Sequence, residues 1–324
     1  MSAEAKIETG TLSVSASPHI RCDESIAKIM WAVNIALAPA ALFSVYRFGM
    51  PALATMIVCI LAAVVTEYVI QKWQDKPITV CDGSALLTGL LLAMNIPAGL
   101  PWYMPVFGAA VAIGIAKHTM GGLGYNIFNP ALVGRAVLLA SWPVAMTTWP
   151  TMASKVDGVT SATPLGVLKL QGYTKLVEIF GDKMDMYKAL FIGTRSGSMG
   201  ETSAILLILG GIFLVYRGYI NWQIPVVMIG TVGALTAAFG QDPILHMMSG
   251  GLILGAIYMA TDMVTIPITV KGQMVFAAGA GAITVLIRLL GGYPEGVCYA
   301  ILLMNCLTPL IDLWIKPVKY GARR

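Results

Sequence analysis

The strings "SALLTGLLLAMN" (residues 84–95) and "GGLILGAIYMAT" (residues 250–261) decide how the rest of the chain is read. Neither carries a charge, and each holds a glycine at its sixth position, Gly89 and Gly255, inside an otherwise apolar run. They start 166 residues apart in a chain of 324, close to half its length, and Gly-Gly pairs follow both, Gly121-Gly122 and Gly291-Gly292. Two readings stay open: the halves repeat one another, or short Gly/Leu-rich strings recur by chance. Either way, glycine in an apolar helix is tolerated at membrane depth when neighbouring helices satisfy the loosened backbone.

Outward from these strings the chain stays greasy. Hydrophobic residues make up 57% and charged residues 11%, with mean hydropathy +0.77. Soluble domains carry about 25% charge, so this chain cannot coat a water-facing globule and suits a lipid-facing one. A crossing helix needs about 20 mostly apolar residues. Candidate spans run roughly over 26–46, 51–71, 79–97, 102–117, 130–146, 201–217, 223–240, 244–261, 273–290 and 297–315. The expected fold is an all-α polytopic membrane protein of about ten spans. Five spans per half is odd, so a 5+5 repeat has to be inverted, an arrangement that places a binding site where the repeats meet.

Lys and Arg alternate across the connections. Lys72, Lys76, Lys117, Arg217, Lys271 and Lys316 fall on one side, with only Arg47 and Arg288 in the short connections on the other. By the positive-inside rule both termini are expected in the cytoplasm. The organisation is then a tail (1–25, with no apolar signal-peptide core), a first membrane half (26–146), an outer-face loop (147–200), a second half (201–315) and a tail (316–324). The compartment implied is a bacterial cytoplasmic (inner) membrane.

Several chemistries find no support. The five cysteines are scattered without a C-x-x-C pair, so no metal site is expected. Neither a G-x-x-x-x-G-K-[ST] loop nor a strand-borne G-x-G-x-x-G occurs, and no nucleic-acid partner is expected. Among charges in or beside spans, Glu67, Lys117, Arg288 and Asp312 lie near span ends, where snorkelling is the plain reading. Arg135, in "NPALVGRAVLL" after the helix start Asn129-Pro130, and Asp262, in "ATDMVTIP", are stronger site candidates, because charge at membrane depth is costly.

The outer loop is long for a connection, yet "TPLGVLKL" and "YTKLVEIF" have spaced apolar residues and read as ordered. Within it, "TSATP" (160–164) reads locally as helix punctuation, with Thr163 as N-cap and Pro164 at the first helical position.

One long stretch adds a resemblance. "CDGSALLTGLLLAMNIPAGLPWYMPVFGAAVAIGIAKHTMGGLGYNIFNPALVGRAVLLASWP" (81–143) resembles the RnfD/NqrB family, which holds the D component of the Rnf electron-transport complex and the B component of the sodium-pumping NADH:quinone oxidoreductase. "SATPL" (161–165), "GETSAILLILGGIFLVYRGYINWQIPV" (200–226) and "MATDMVTIPIT" (259–269) continue it. The resemblance implies a ten-span flavoprotein with FMN joined through phosphate to the threonine of a Ser-Gly-Ala-Thr motif, which falls on Thr163. Here the motif reads Thr160-Ser161-Ala162-Thr163, with Ser161 in the glycine's place and Pro164 following. It also implies a second flavin, riboflavin, held non-covalently, for which Asn129, Arg135 and Asp262 are candidates. No catalytic residue is implied.

The first span begins near residue 26, and the short tail favours the RnfD branch over the NqrB branch. The implied role is an electron relay within an ion-translocating oxidoreductase, active only in a complex, that couples ferredoxin and NAD chemistry to export of Na⁺ or H⁺. The implied partners are RnfA, RnfB, RnfC, RnfE and RnfG, with the FMN-bearing RnfG outside and the NAD-reactive RnfC inside. A transporter or channel without redox function is the competing class, motivated by the repeat and the intramembrane charges.

Overall fold

A computed structural model describes residues 24–149, 163–193, 197–201 and 203–317, and every regular element among them is helical. Four helices are long and apolar enough to cross a membrane: α1 (Ile26–Phe48), α2 (Met50–Trp73), α13 (Val270–Leu290) and α14 (Val297–Trp314). Local signals set their ends. The Ser25 side chain accepts from Lys28 N (3.3 Å) to open α1. Gly49, at φ 72°, separates it from α2.

Shorter apolar helices fill the interior: α3 (Ser84–Met94), α5 (Pro130–Ser141), α9 (Ala204–Tyr216) and α10 (Gln223–Ala238). Two elements loosen into π-turns. Helix α4 (Tyr103–Val111) continues through Ala112–His118, and α12 (Leu252–Leu254) continues through Gly255–Met259. Two short pieces, α6 (Pro143–Thr147) and α11 (Pro243–Met248), begin at prolines.

The expected span 244–261 is therefore broken. Gly250 (φ 68°) and Gly251 (φ 65°) are both left-handed, which ends α11 before α12 starts. His246 and Ser249 at the break are buried, so their carbonyls need donors from the protein. Arg288 supplies the donors, giving Nη1 to His246 O (2.5 Å) and Nη2 to Ser249 O (2.7 Å). Snorkelling is thus the wrong reading of Arg288, which is buried. The expected span 79–97 likewise shortens to α3, flanked by the left-handed Gly83.

The packing partners are matched in the two halves. Helix α2 packs on α3 and α4, as α10 packs on α11 and α13. Helix α4 packs on α5, as α13 packs on α14, and the halves meet through α1 against α9 and α5 against α14. Glycines permit the closest approaches. A Cβ on Gly89 would lie 2.8 Å from Cys59 O, and one on Gly210 would strike the Tyr258 hydroxyl and Ala36 O.

Large apolar side chains face outward along several helices, including Ile35 and Leu42 of α1, Leu61 of α2, Leu209 and Ile212 of α9, and Leu290 of α13. A surface of this kind belongs in lipid.

Outside the bundle, α7 (Pro164–Phe180, kinked at Gly172) and α8 (Lys183–Ile192) form an ordered hairpin. It has its own core of Val167, Leu176, Met186 and Leu190, which closes on Leu245 of α11. At its edge the Tyr173 hydroxyl donates to Asp242 Oδ2 at 2.9 Å, Tyr187 donates to the same oxygen, and Lys183 Nζ lies 3.7 Å away. Burial raises the Asp242 carboxyl, but the two phenolic bonds and the Leu245 N–H outweigh it and hold the group below its usual value. The Tyr187 phenol is pushed up to about 12 by burial and by its bond to that carboxylate.

Candidate functional site

Thr163 is the N-cap of α7. Its backbone is extended (φ −62°, ψ 155°), its hydroxyl accepts from Gly166 N at 3.1 Å, and Pro164 begins the helix. Both residues are buried. This bears out the reading of Thr163-Pro164 as helix punctuation. Ser161 and Ala162 lie outside the described residues.

Beside Thr163 opens a cleft of about 290 Å³. Trp149, Tyr293 and Tyr299 contribute aromatic surface, and Leu139, Met146 and Leu170 are among its apolar lining. The Tyr293 and Tyr299 rings lie 6.3 Å apart between centroids, tilted by 33°. Two charged residues also line the cleft: Arg135 of α5, which donates Nη1 to Asn95 Oδ1 (3.1 Å), and Glu295 of the α13–α14 turn. They form an ion pair through Arg135 Nη2 and Glu295 Oε2. Among the described residues each keeps one buried polar atom without a hydrogen-bond partner, Arg135 Nε and Glu295 Oε1. From α7, Lys169 donates to the carbonyls of Arg288 (3.2 Å), Tyr293 (3.2 Å) and Gly291, fixing the hairpin to the same turn.

A second, smaller cavity of about 90 Å³ is lined from α1, α3, α5, α9, the two π-turn stretches and the loops beside them. Asn129 and Asp262 both line it, with Ser84, Thr88, Tyr219 and Tyr258. Asn129 caps α5, its Oδ1 accepting from Ala131 N (3.1 Å), and its Nδ2 donates to Met259 O (3.4 Å). Asp262 Oδ1 accepts from Val264 N (3.3 Å). So the structure joins two of the three candidates for a second flavin and separates the third: Arg135 belongs to the Thr163 cleft. A short polar chain links the cavities, because Asn95 bridges Arg135 Nη1 and Met259 Sδ (3.4 Å), while Asn129 reaches Met259 O.

Lys117, which local reading sets aside, also lines this cavity, while its partner Glu67 does not. Lys117 is 2% exposed and Glu67 1%. The Lys117 ammonium donates to both Glu67 oxygens (2.8 Å each) and to Ser84 Oγ (2.7 Å). Gln71 Nε2 adds a bond to Glu67 (3.1 Å), and Ser84 Oγ donates onward to Asp82 (2.6 Å). Here too snorkelling is wrong, since the charges satisfy each other inside the protein. Asp312 behaves differently again, accepting from Ile268 N at 3.0 Å. The π-turn that aims Lys117 inward and the 50 residues separating it from Glu67 leave no local signal of the pairing.

The residues around Thr163 fit an attached flavin on three counts. A helix N-terminus offers backbone N–H groups and a favourable dipole to a phosphate. Aromatic and apolar walls suit a planar ring. The unpaired Arg135 Nε and Glu295 Oε1 are the kind of buried polar atoms a heteroaromatic ligand satisfies.

Comparison with known proteins agrees with the sequence resemblance. The chain is 64% identical over 330 residues to the D subunit of the proton-translocating ferredoxin:NAD(+) oxidoreductase complex of Clostridium ljungdahlii, covering 99% of this chain and 100% of that one. It is 49% identical over 315 residues to the D subunit of the Na(+)-translocating ferredoxin:NAD(+) oxidoreductase complex of Acetobacterium woodii, covering 97% of this chain and 96% of the relative. It is 40% identical to the D subunit of the ion-translocating oxidoreductase complex of Stutzerimonas stutzeri, with 92% of each chain aligned. With residues 13–321 matching its pattern as well, the chain belongs to the NQR2, RnfD, RnfE family.

Proposed function

We propose that this chain is the D subunit of an Rnf-type ion-translocating ferredoxin:NAD oxidoreductase, relaying electrons across the membrane through FMN esterified to Thr163 and a second, non-covalent riboflavin. The relay serves coupling of ferredoxin and NAD chemistry to export of Na⁺ or H⁺. Relatives named for each ion align along nearly the whole chain.

The observation that carries the reading is the placement of Thr163. It stands at a helix N-terminus, on the rim of an aromatic cleft floored by a buried ion pair. Attachment through phosphate leaves the ring itself free for redox work, while the protein supplies position and electrostatics. The inner cavity with Asn129 and Asp262 is the candidate site for riboflavin, and the Arg135–Asn95–Met259–Asn129 chain joins it to the cleft.

Ten spans in two inverted halves complete the proposal. The matched packing partners of the halves and the outward apolar faces of α1, α2, α9 and α13 support it. On this topology both termini are cytoplasmic in an inner-membrane protein, and the α7–α8 hairpin faces outward toward RnfG, with RnfC on the inner side.

A denaturing gel viewed under ultraviolet light tests the central point. Chain produced with its flavin transferase gives a fluorescent band, and Thr163→Ala gives a dark one. A tryptic peptide spanning Thr163 without the mass of FMN less water would refute the attachment.

A further inference from the structure

We propose that the Arg135–Glu295 pair biases and positions the flavin ring held in the Thr163 cleft. This rests on the reading of Thr163 as the attachment point. It goes further by assigning an electrostatic role to two residues from distant parts of the chain.

Three observations carry it. The pair is assembled across 160 residues of sequence, from α5 and from the α13–α14 turn, and both side chains line the same cleft as Thr163. The side-chain exposures are 8% for Arg135 and 12% for Glu295, so their charges act in a poorly screened environment. Each retains a buried atom without a hydrogen-bond partner among the described residues, Arg135 Nε as donor and Glu295 Oε1 as acceptor. A buried charge pair held only for stability is expected to be fully satisfied, because incomplete pairing is costly. A ring with alternating acceptors and N–H donors at its polar edge supplies both missing partners.

The consequence for potential follows from charge balance. A flavin ring that takes up two electrons and one proton gains one negative charge. The guanidinium stabilises that charge and raises the potential, and the carboxylate opposes it. Asn95, by fixing Nη1, keeps the guanidinium from turning away. The two substitutions therefore act in opposite directions, which a merely structural pair would not do.

The test uses the full chain with flavin attached, in lipid nanodiscs, titrated spectroelectrochemically. A parallel Thr163→Ala sample is subtracted to isolate the covalent flavin. Arg135→Gln is expected to shift the covalent flavin to more negative potential by at least tenfold in the oxidised-to-reduced ratio, about 30 mV for a two-electron couple. Glu295→Gln is expected to shift it by a similar factor in the positive direction. Arg135→Lys, which keeps the charge, stays near the parent value.

Retention of the fluorescent band shows that each variant still folds and is modified. If Arg135→Gln loses the band, the sign of the Glu295→Gln shift and the Arg135→Lys value decide the matter. Unmoved potentials in fluorescent variants, shifts of the same sign, or a shift confined to the non-covalent flavin would overturn the proposal. A dark parent band would instead overturn the attachment reading beneath it.

Discussion

Glu67→Gln leaves a buried ammonium beside a neutral amide, and the structure sets what that costs. All three Lys117 hydrogens have acceptors, two on Glu67 at 2.8 Å and one on Ser84 at 2.7 Å. Bulk solvent barely reaches the pair, with exposures of 2% and 1%. Removing one member of a buried pair costs about 3–5 kcal/mol, because the other is left uncompensated. Lys117→Met commits the same offence with the opposite sign. At about 2 °C per kcal/mol for a chain of this size, each single variant is expected to melt about 6–10 °C lower.

The double variant Glu67→Gln/Lys117→Met buries no charge, and neutral replacements of buried pairs are often tolerated. It is expected within about 2 kcal/mol of the parent. The assay is thermal unfolding in nanodiscs followed by tryptophan fluorescence, arranged as a double-mutant cycle. A double variant that falls as far as the two singles combined would show that the side chains do not compensate each other, and the pairing argument would be wrong.

Two further outcomes test the packing and the outer hairpin. Gly210→Ala drives a Cβ into Ala36 O and the Tyr258 hydroxyl, whereas Gly230→Ala meets nothing within 4 Å among the described residues. The first is expected to lose about 1–3 kcal/mol to overpacking and the second to be neutral or better, both read as melting shifts. The Tyr187 phenol, held near 12 when folded against about 10 when free, contributes fully below pH 10 and loses that contribution between pH 10 and 12. Protease cleavage within 164–192 is expected to rise across that window, and Tyr187→Phe to reduce the step to the part carried by Tyr173, whose phenol is raised by burial and by the same carboxylate. An unchanged step in Tyr187→Phe would assign it to another group.

Much of this fold is legible in composition and local pattern. Low charge and long apolar runs announce the membrane, and Thr163-Pro164 announces a cap because both residues act on their own backbone. The spaced apolar positions of "TPLGVLKL" and "YTKLVEIF" likewise foretell an ordered stretch, and both fall in α7, whereas α8 carries no such reading. The pairings are another matter. Glu67 finds Lys117 across 50 residues and Arg135 finds Glu295 across 160, and no local rule links them. Arg288 is the hardest residue to read, because its role exists only once Gly250 and Gly251 have broken the span beside it. Charge near a predicted span end is ambiguous for a physical reason: the same side chain can reach out to water or in to a partner, and only the third dimension decides.

Lys169 ties α7 to the turn that carries Glu295, gripping three carbonyls with one ammonium group. Thr163 on the rim and the charged floor of the cleft are thereby joined through a single ammonium group. On the proposed attachment, a cofactor at Thr163 would ride on α7, whose place is set by the turn that carries Glu295. Any shift of α7 against that turn would then change the distance between the ring and the Arg135–Glu295 charges, so hairpin position and ring electrostatics would be coupled.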